Sequence, residues 1–231
     1  MTKRKIEYWV IPPKANAEFV ANMEEVLETY EIAYDPGHPI LCMDEQPVQL
    51  LKETRRPIKA TKKHGKRVDY EYERNGTASI FMFAEPLSGY RQATARAQRT
   101  KVEWALEVAQ MLDTRYADCD IVRLVMDNLN THTKGAFYEA FEPAKARGYL
   151  KRLKFCYTPK HGSWLNIAEC ELSCLTSQCL RDRRLGELKD LQSEIAAWSL
   201  RTNAKQRGVD WQFKIDHARR KLKRLYPKIK T

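Results

Sequence analysis

Two aspartates each follow an apolar run of strand character. Residues 40–43 (Ile-Leu-Cys-Met) precede Asp44, and residues 121–126 (Ile-Val-Arg-Leu-Val-Met) precede Asp127 and Asn128. A buried strand that ends in an acid delivers a carboxylate to the edge of a sheet, where α/β folds place their sites. Because one carboxylate does little chemistry alone, we expect Asp127 to have a partner earlier in the chain and another later.

The segments around these acids predict alternating strands and helices. Asn16 is predicted to cap a helix whose apolar stripe runs from Phe19 to Tyr30, and apolar spacing predicts a second helix over Thr100–Asp113. The turn residues at 74–76 (Arg-Asn-Gly) predict a hairpin between strands at 68–73 and 77–85, and a strand at 90–94 extends it into an antiparallel meander. The other predicted strands are 6–11, 40–50 (its apolar run ending at Asp44), 121–126 and 153–157, and the other predicted helices are 135–146, 166–180, 185–200 and 216–225.

The composition is that of a folded, basic protein. Of the 231 residues, 43% are hydrophobic and 10% aromatic, which is enough for a core in one large domain or one domain with a small appendage. The formal net charge is +11, from 41 basic and 30 acidic residues. That excess favours a polyanionic partner such as nucleic acid, although a merely soluble basic protein would also show it.

The cysteines and the apolar stretches exclude several classes of protein. Six cysteines contain no CxxC pair and predict reduced core residues rather than a zinc site or a disulfide framework. No signal peptide opens the chain, and no apolar stretch approaches the roughly 18 residues of a membrane helix. We therefore expect neither secretion nor a membrane partner.

Basic residues concentrate in a loop and in a tail. The stretch from 52 to 67 has little apolar content and predicts a mobile loop, either simply solvated or, as we prefer, an arm that contacts phosphates. The tail has the same two interpretations, a solvated helix face or a contact with the DNA backbone. The basic residues of the loop are Lys52, Arg55, Arg56, Lys59, Lys62, Lys63, Lys66 and Arg67, and those of the tail are Arg219, Arg220, Lys221, Lys223, Arg224, Lys228 and Lys230.

Three blocks of sequence resemble the signature blocks of DDE transposases. They are Met-Asp-Glu at 43–45, Val-Met-Asp-Asn-Leu-Asn-Thr-His at 125–132 and Thr-Pro-Lys-His-Gly-Ser-Trp-Leu-Asn-Ile-Ala-Glu at 158–169. They occur in the family's order, and the resemblance, which is to the IS630 branch of the IS630/Tc1/mariner superfamily, covers nearly the whole chain.

The resemblance implies an α/β, RNase H-like fold with a mixed five-stranded sheet, its first three strands an antiparallel meander, flanked by helices. It also implies that Asp44, Asp127 and Glu169 are catalytic and hold two Mg²⁺ (or Mn²⁺) ions. Hard cations prefer carboxylate oxygens, and two of them stabilise the attacking and leaving oxygens of a phosphodiester displacement. The alternative is that the three are unrelated acids at strand ends and on a helix surface.

Spacing separates these acids from their acidic neighbours. Glu169 stands three residues after Asn166, as in the family's Leu-Asn-x-x-Glu pattern. Glu171 lies about 200° further around a helix, and Glu45 alternates to the opposite face of the strand from Asp44. We therefore expect Glu45 and Glu171 to point away from the site.

Residues in the same blocks are predicted to contact DNA. Asn128 and His132 would orient substrate or buttress Asp127, with a turn-and-cap role as the alternative. Trp164 would stack on a base or pack the helix start, and we prefer packing. Free backbone N–H groups at that helix start can hold a phosphate. Together with Arg55–Arg67 of the loop, the predicted DNA-binding residues are Asn128, His132, His161, Ser163, Trp164 and Asn166.

The chain is expected to divide into three parts. They are an N-terminal linker and helix (1–38), an RNase H-like DDE catalytic core (39–185) and a basic helical extension packing on the core (186–231). The implied activity is cleavage of double-stranded DNA at transposon ends and joining of the 3′ ends to a TA target, in the bacterial cytoplasm and nucleoid.

The expected partners are transposon-end DNA, target DNA and a second copy of the chain in the DNA complex. The first strand comes too early to follow a helix-turn-helix module. Two alternatives follow: the chain is a truncated copy, or it is the second reading frame of a split gene whose separate helix-turn-helix polypeptide recognises the ends. The alternatives to a transposase are an inactive DNA-binding remnant and an RNase H-type nuclease.

Overall fold

A five-stranded mixed sheet forms the centre of the computed structural model, which describes residues 11–12 and 14–228. The strands are β1 (Ile40–Glu53), β2 (Tyr72–Glu85), β3 (Tyr90–Arg96), β4 (Val122–Met126) and β5 (Leu153–Tyr157). Their order in the sheet is β3-β2-β1-β4-β5; β1, β2 and β3 pair antiparallel, whereas β4 pairs parallel with both β1 and β5. The predicted α/β fold, with a meander of the first three strands, is confirmed.

Helices cover both faces of this sheet. Asn16 caps the first helix by accepting a hydrogen bond from the Phe19 N–H (3.0 Å), and Thr100 and Glu103 form a capping box on the second. The helices are α1 (Ala17–Glu31), α2 (Lys101–Asp113), α3 (Lys134–Ala140), α4 (Pro143–Lys151), α5 (Ile167–Leu175), α6 (Leu188–Asn203) and α7 (Ile215–Lys221). No helix in the described part of the chain is long and apolar enough to cross a membrane.

The apolar run of β1 ends at Asp44, but the strand itself extends past this acid and three residues beyond the predicted range of 40–50. β1 continues to Glu53, because it pairs with β2 as far as Glu53 opposite Tyr72. Beyond Cys42 only one edge of β1 is paired, so Pro47 is tolerated inside the strand even though it lacks an N–H donor.

The predicted hairpin turn at residues 74–76 is also wrong. These residues belong to the continuous strand β2, and the pairing register shifts between Gln49 and Leu51 opposite them. Gly76 takes a positive φ of 84°, so its conformational freedom serves a bulge rather than a turn. The connection between β1 and β2 is the segment 54–71, which we call the basic arm and which includes most of the predicted basic loop.

Two further helix boundaries differ from the predicted ones, and the structure shows why. The helix predicted for 135–146 is two helices, because Pro143 begins a new one as its N1 residue. The helix predicted for 166–180 is α-helical only to Leu175, and a π-helical turn, Thr176–Leu180, follows. The strand predicted for 6–11 lies, apart from Ile11, outside the described residues, as does Lys230 of the tail.

Side-chain alternation divides the interior into two layers. On one face, Cys42, Ile80 and Val125 pack under α1, α5 and α6. On the other face, Met43, Phe81, Phe83, Leu124 and Met126 pack under α2, α3 and α4, around the fully buried Trp104 and Phe137. Neighbouring residues of β1 therefore face different helices, which decides where Asp44 and Glu45 can reach.

Helix α6 covers the open edge of β3. Asn203 accepts from the Arg91 N–H (2.8 Å) and donates to the Arg91 carbonyl (2.7 Å). Ser199 accepts from the Ala93 N–H (3.2 Å), and Gln192 donates to the Ala95 carbonyl (2.8 Å). These side chains satisfy backbone groups that would otherwise be free to pair with another strand.

Candidate active site

Strand register brings Asp44 and Asp127 side by side. β1 and β4 run parallel, with Cys42 opposite Val125. Asp44 and Asp127 each lie two residues beyond that pair, and adjacent strands are about 4.8 Å apart. The two carboxylates therefore stand at the same level at the carboxyl end of β4, the edge at which the sequence predicted a site.

Glu169 reaches the same place from helix α5. Asn166 donates through Nδ2 to the Met43 carbonyl (2.8 Å), and its Oδ1 accepts from the Ala168 N–H (3.1 Å), which caps the helix. The first turn of α5, with the exposed Glu169, is thus fixed against the residue that precedes Asp44. Glu171 points away, as predicted, into a buried ion pair with Arg91 (2.7 Å).

The three acids line one cleft. Its volume is about 410 Å³, and its walls include Asp44, Asp127, Glu169 and Asn166. A second groove of about 770 Å³ shares Asp127 and Ser163 with the cleft and extends it toward α1 and the residues after β5. The site is therefore a long open channel rather than an enclosed pocket, which suits a polymer better than a small molecule.

The electrostatics of the cleft are set by crowded carboxylates. Burial raises the pKa of Asp44 to about 7; the hydrogen bond from the Glu45 N–H opposes this shift, whereas the charges of Asp127 and Glu169 add to it. The surroundings of Asp44 in the cleft therefore disfavour its charged form.

His132 links Asp127 to the interior. Its imidazole is fully buried, with Nδ1 2.8 Å from Oδ1 of Asp127 and 3.1 Å from the Asp127 carbonyl oxygen. Only the carbonyl has hydrogen-bonding geometry, so Oδ1 is in ionic contact with the ring but has no hydrogen-bond donor. Burial lowers the pKa of His132, but the contacts with Asp127 and Glu45 outweigh it and raise the pKa to about 9.

The donor set of the cleft fits a hard divalent cation. Asp44, Asp127 and Glu169 all line the cleft and offer carboxylate oxygens, the ligands that Mg²⁺ and Mn²⁺ prefer. Across residues 11–12 and 14–228, no three acidic, histidine or cysteine side chains already converge closely enough to hold one ion. Like charges disfavour the convergence of carboxylates that no cation neutralises.

The residues predicted to flank the acids divide by burial. Asn128, His161 and Ser163 are exposed along the channel. His132 and Asn166 are each about 1% exposed and fully engaged with the protein, which leaves neither side chain a surface for the predicted DNA contact.

The loop before α5 is shaped by a tight turn. His161 has a positive φ of 65°, and a Cβ at Gly162 would lie 2.5 Å from the Pro159 side chain. Trp164 is half-buried and packs edge-on against Phe213 (5.9 Å), the packing role that was preferred from the sequence. The turn leaves His161 and Ser163 open to the channel.

The basic arm projects from the same end of the sheet as the acids. An isolated bridge between Ile58 and Arg67 gives it a hairpin-like shape, and Arg55 pairs with Asp69 (3.3 Å). Lys52, at the end of β1, pairs with Glu187 (2.7 Å). The predicted arm residues that are exposed are Arg55, Arg56, Lys59, Lys62, Lys63, Lys66 and Arg67.

Sequence reasoning missed the residues behind Asp127. Glu45 was assigned only to the far face of β1, but its buried carboxylate lies 3.1 Å from His132 Nε2 and 3.4 Å from Arg99 Nε. Trp104 stacks on His132 with ring centroids 5.2 Å apart. The available signal was that an acid alternating into an apolar face must find a partner there, because an unpaired buried charge is costly.

Comparisons with known proteins match the chain to a family and to a fold. Residues 39–192 match the model of a family described as DDE superfamily endonuclease. The fold is similar to that of the Mos1 mariner paired-end complex with Mn (16% identity, TM-score 0.50) and of the Mos1 strand transfer complex (15% identity, TM-score 0.51). In both cases 90% of this chain aligns with 64% of the Mos1 chain, so this chain spans less than two thirds of its relative. None of the proteins with curated descriptions matches the sequence.

Proposed function

Because this chain belongs to the DDE superfamily of endonucleases, we propose that it is the catalytic part of an IS630-like transposase. It cuts DNA at transposon ends and joins the freed 3′ ends to target DNA at TA dinucleotides. The observation that carries the proposal is the parallel register of β1 and β4, which sets Asp44 beside Asp127 in a cleft that Glu169 also lines.

Asp44, Asp127 and Glu169 are the residues that would hold two divalent ions, Mg²⁺ or Mn²⁺. When bound, such ions stabilise charge on the attacking and leaving oxygens of the phosphodiester. The chain orients its own carboxylates: the Glu45 N–H holds Asp44, His132 contacts Asp127, and the capped start of α5 carries Glu169. A Mos1 structure described as a complex with Mn supports the choice of metal.

Double-stranded DNA is the proposed substrate, and the channel and the basic arm are its proposed contacts. The open channel suits a polymer, and exposed lysines and arginines on the arm suit its phosphates. Mos1 structures described as paired-end and strand transfer complexes support a DNA partner and, by analogy, a second copy of this chain. Residues 39–185 would form the catalytic core, and residues 1–38 and 186–231 would flank it. A separate helix-turn-helix polypeptide would recognise the transposon ends.

A nicking and joining assay tests the proposal. The chain is incubated with Mg²⁺ or Mn²⁺ and DNA carrying candidate terminal inverted repeats, and nicked and joined products are measured. Asp127→Ala should abolish both products while leaving non-specific DNA binding intact. The matched control is Asp120→Ala, which removes the same charge from an exposed position before the opposite end of β4.

Each outcome of this assay has a definite meaning. Undiminished cleavage by Asp127→Ala contradicts the proposal. DNA binding without cleavage by the unmodified chain identifies an inactive remnant, and cleavage confined to RNA–DNA hybrids identifies an RNase H-type nuclease.

A further inference from the structure

We infer that Glu45 is a positioning residue for Asp127, acting through the imidazole of His132. This inference rests on the proposed function, because it concerns how one of the proposed metal-holding carboxylates is oriented. Glu45 is among the residues that line the cleft, but its side chain is buried on the other face of the sheet from Asp44, so its contribution is made through His132.

A chain of close contacts connects the three side chains. Oε1 of Glu45 lies 3.1 Å from Nε2 of His132, and Nδ1 of the same ring lies 2.8 Å from Oδ1 of Asp127. The side chains of Glu45 and His132 are 1% and 0% exposed, whereas that of Asp127 is 32% exposed. The contacts therefore run from the buried interior to a carboxylate at the wall of the cleft.

Packing restricts the imidazole to one orientation. Trp104 of α2 stacks on the ring at 5.2 Å with an interplanar angle of 26°. The hydroxyl of Tyr157 donates to the His132 carbonyl oxygen (3.0 Å). With Nε2 held by Glu45, the ring presents Nδ1 to Asp127. Rotation of the imidazole would break both contacts at once.

A structural role alone does not explain an acid at position 45. The surrounding layer is apolar, and a hydrophobic side chain would be buried there at lower cost than a carboxylate. Oε2 of Glu45 has no hydrogen bond, and its nearest cation, Arg99, is 3.4 Å away. What the carboxylate does provide is a fixed acceptor for His132, the kind of support that keeps a metal-binding carboxylate in place.

The test measures Mn²⁺ binding by the full chain, with free Mn²⁺ followed by electron paramagnetic resonance. Glu45→Ala should weaken Mn²⁺ binding by about 10- to 100-fold, the usual effect of removing such a support. Glu45→Gln, which keeps an acceptor oxygen in a side chain of the same shape, should fall between Glu45→Ala and the unmodified chain. It also keeps the test decisive if the alanine variant does not fold.

Two comparisons separate positioning from general damage. Glu107→Gln alters another buried acid of the same layer, which pairs with Arg96 (2.5 Å) and Thr94 (2.6 Å) and does not line the cleft; it should leave Mn²⁺ affinity unchanged. Because Glu45 acts through His132, the double variant Glu45→Ala/His132→Ala should bind Mn²⁺ no more weakly than His132→Ala alone.

Failure of this inference is distinguishable from failure of the proposed function. Unchanged Mn²⁺ affinity in both Glu45 variants, or a loss equal to that of Glu107→Gln, overturns the positioning role. A chain that binds Mn²⁺ but cleaves no DNA contradicts the proposed function, while the Mn²⁺ affinities still decide the role of Glu45. A chain that binds no Mn²⁺ contradicts both.

Discussion

The side-chain amide of Asn166 donates a hydrogen bond across 2.8 Å to the carbonyl oxygen of Met43, 123 residues earlier in the chain. The carbonyl oxygen of the same amide caps α5 at the Ala168 N–H. One buried side chain therefore ties the start of the helix that carries Glu169 to the strand residue that precedes Asp44. The amide can make both contacts because its nitrogen donates while its oxygen accepts.

Asn166→Asp should separate these two functions. The carboxylate still caps α5, but it cannot donate to Met43 and it brings a charge against a carbonyl oxygen. We expect a loss of about 1–3 kcal/mol in the free energy of unfolding and weaker metal-dependent cleavage, measured by urea denaturation and the nicking assay. Asn16→Asp is the stability control, since Asn16 caps α1 only as an acceptor; equal stabilities of the two variants would contradict the proposed link.

The buried pair of Arg91 and Glu171 should stabilise the fold through its geometry. Its N–O distance is 2.7 Å with both side chains less than 10% exposed, and Arg91 also donates to the Gly89 (2.6 Å) and Arg207 (2.7 Å) carbonyls. Arg91→Met leaves an unpaired buried carboxylate, which should cost about 3–5 kcal/mol of unfolding free energy.

The solvent-exposed pair of Lys52 and Glu187 is the control for this prediction. Its distance is also 2.7 Å, but its side chains are 40% and 57% exposed. Lys52→Met should cost no more than about 1 kcal/mol. Similar losses in urea denaturation for the two variants would show that burial of the Arg91 pair does not matter.

Local chemistry predicted much of the fold. The cap at Asn16 and the strand Leu153–Tyr157 were both predicted correctly, because each depends on side chains within a few residues. The extension of β1 beyond residue 50 to Glu53 was not predicted, since it depends on pairing with β2 after a long connection. For the same reason Gly76 was assigned to a turn instead of a bulge.

The candidate site was predictable only in part. Family-like blocks and strand ends indicated Asp44, Asp127 and Glu169, and the register of parallel strands explains how the first two meet. Glu45 and Trp104 were not predicted as neighbours of His132, because that contact crosses between β1, α2 and the loop after β4. The burial of His132 likewise depends on its packing against Trp104 of α2, and no local sequence motif predicts that contact.

Alkaline pH should destabilise the protein through two buried thiols. Burial raises the pKa of Cys42 to about 12 and of Cys156 to about 11 from the ordinary value of 9.0. Below pH 9 both thiols are neutral in the folded chain and in the unfolded chain, so the free energy of unfolding keeps its full value there. As the pH rises from 9 toward the folded-state pKa values, the free energy of unfolding falls, because only the unfolded chain then releases protons.

Urea denaturation between pH 8 and 10 measures this effect. Each thiol should lower the free energy of unfolding by about 1.4 kcal/mol per pH unit above 9. The double variant Cys42→Ala/Cys156→Ala should show a shallower decline. An equally steep decline in the double variant would assign the alkaline sensitivity to other groups, such as the buried tyrosines.

The basic arm should contribute electrostatically to DNA binding. Lys62, Lys63 and Lys66 are exposed on the arm, and replacing all three by glutamine should weaken DNA binding most at low salt. The slope of log K against log salt should fall by up to about 2.7, since each phosphate contact contributes about 0.9. Fluorescence anisotropy with labelled DNA measures both quantities.

A second triple variant, which removes the same amount of positive charge from another surface, serves as the control for the arm. Lys145, Lys151 and Lys154 are exposed on α4 and at the amino end of β5, away from the carboxyl ends where the acids lie. Replacing these three by glutamine should change the salt slope much less. Equal slopes for the two triple variants would mean that only net charge matters.

The most direct test of the proposed metal site is a crystal structure of the chain grown with Mn²⁺, in which anomalous scattering locates the ions. We predict peaks in the cleft between Asp44, Asp127 and Glu169, with carboxylate oxygens of all three residues at about 2.0–2.4 Å. Peaks that contact other residues, or a bound ion that lacks either aspartate, would contradict the three-carboxylate site.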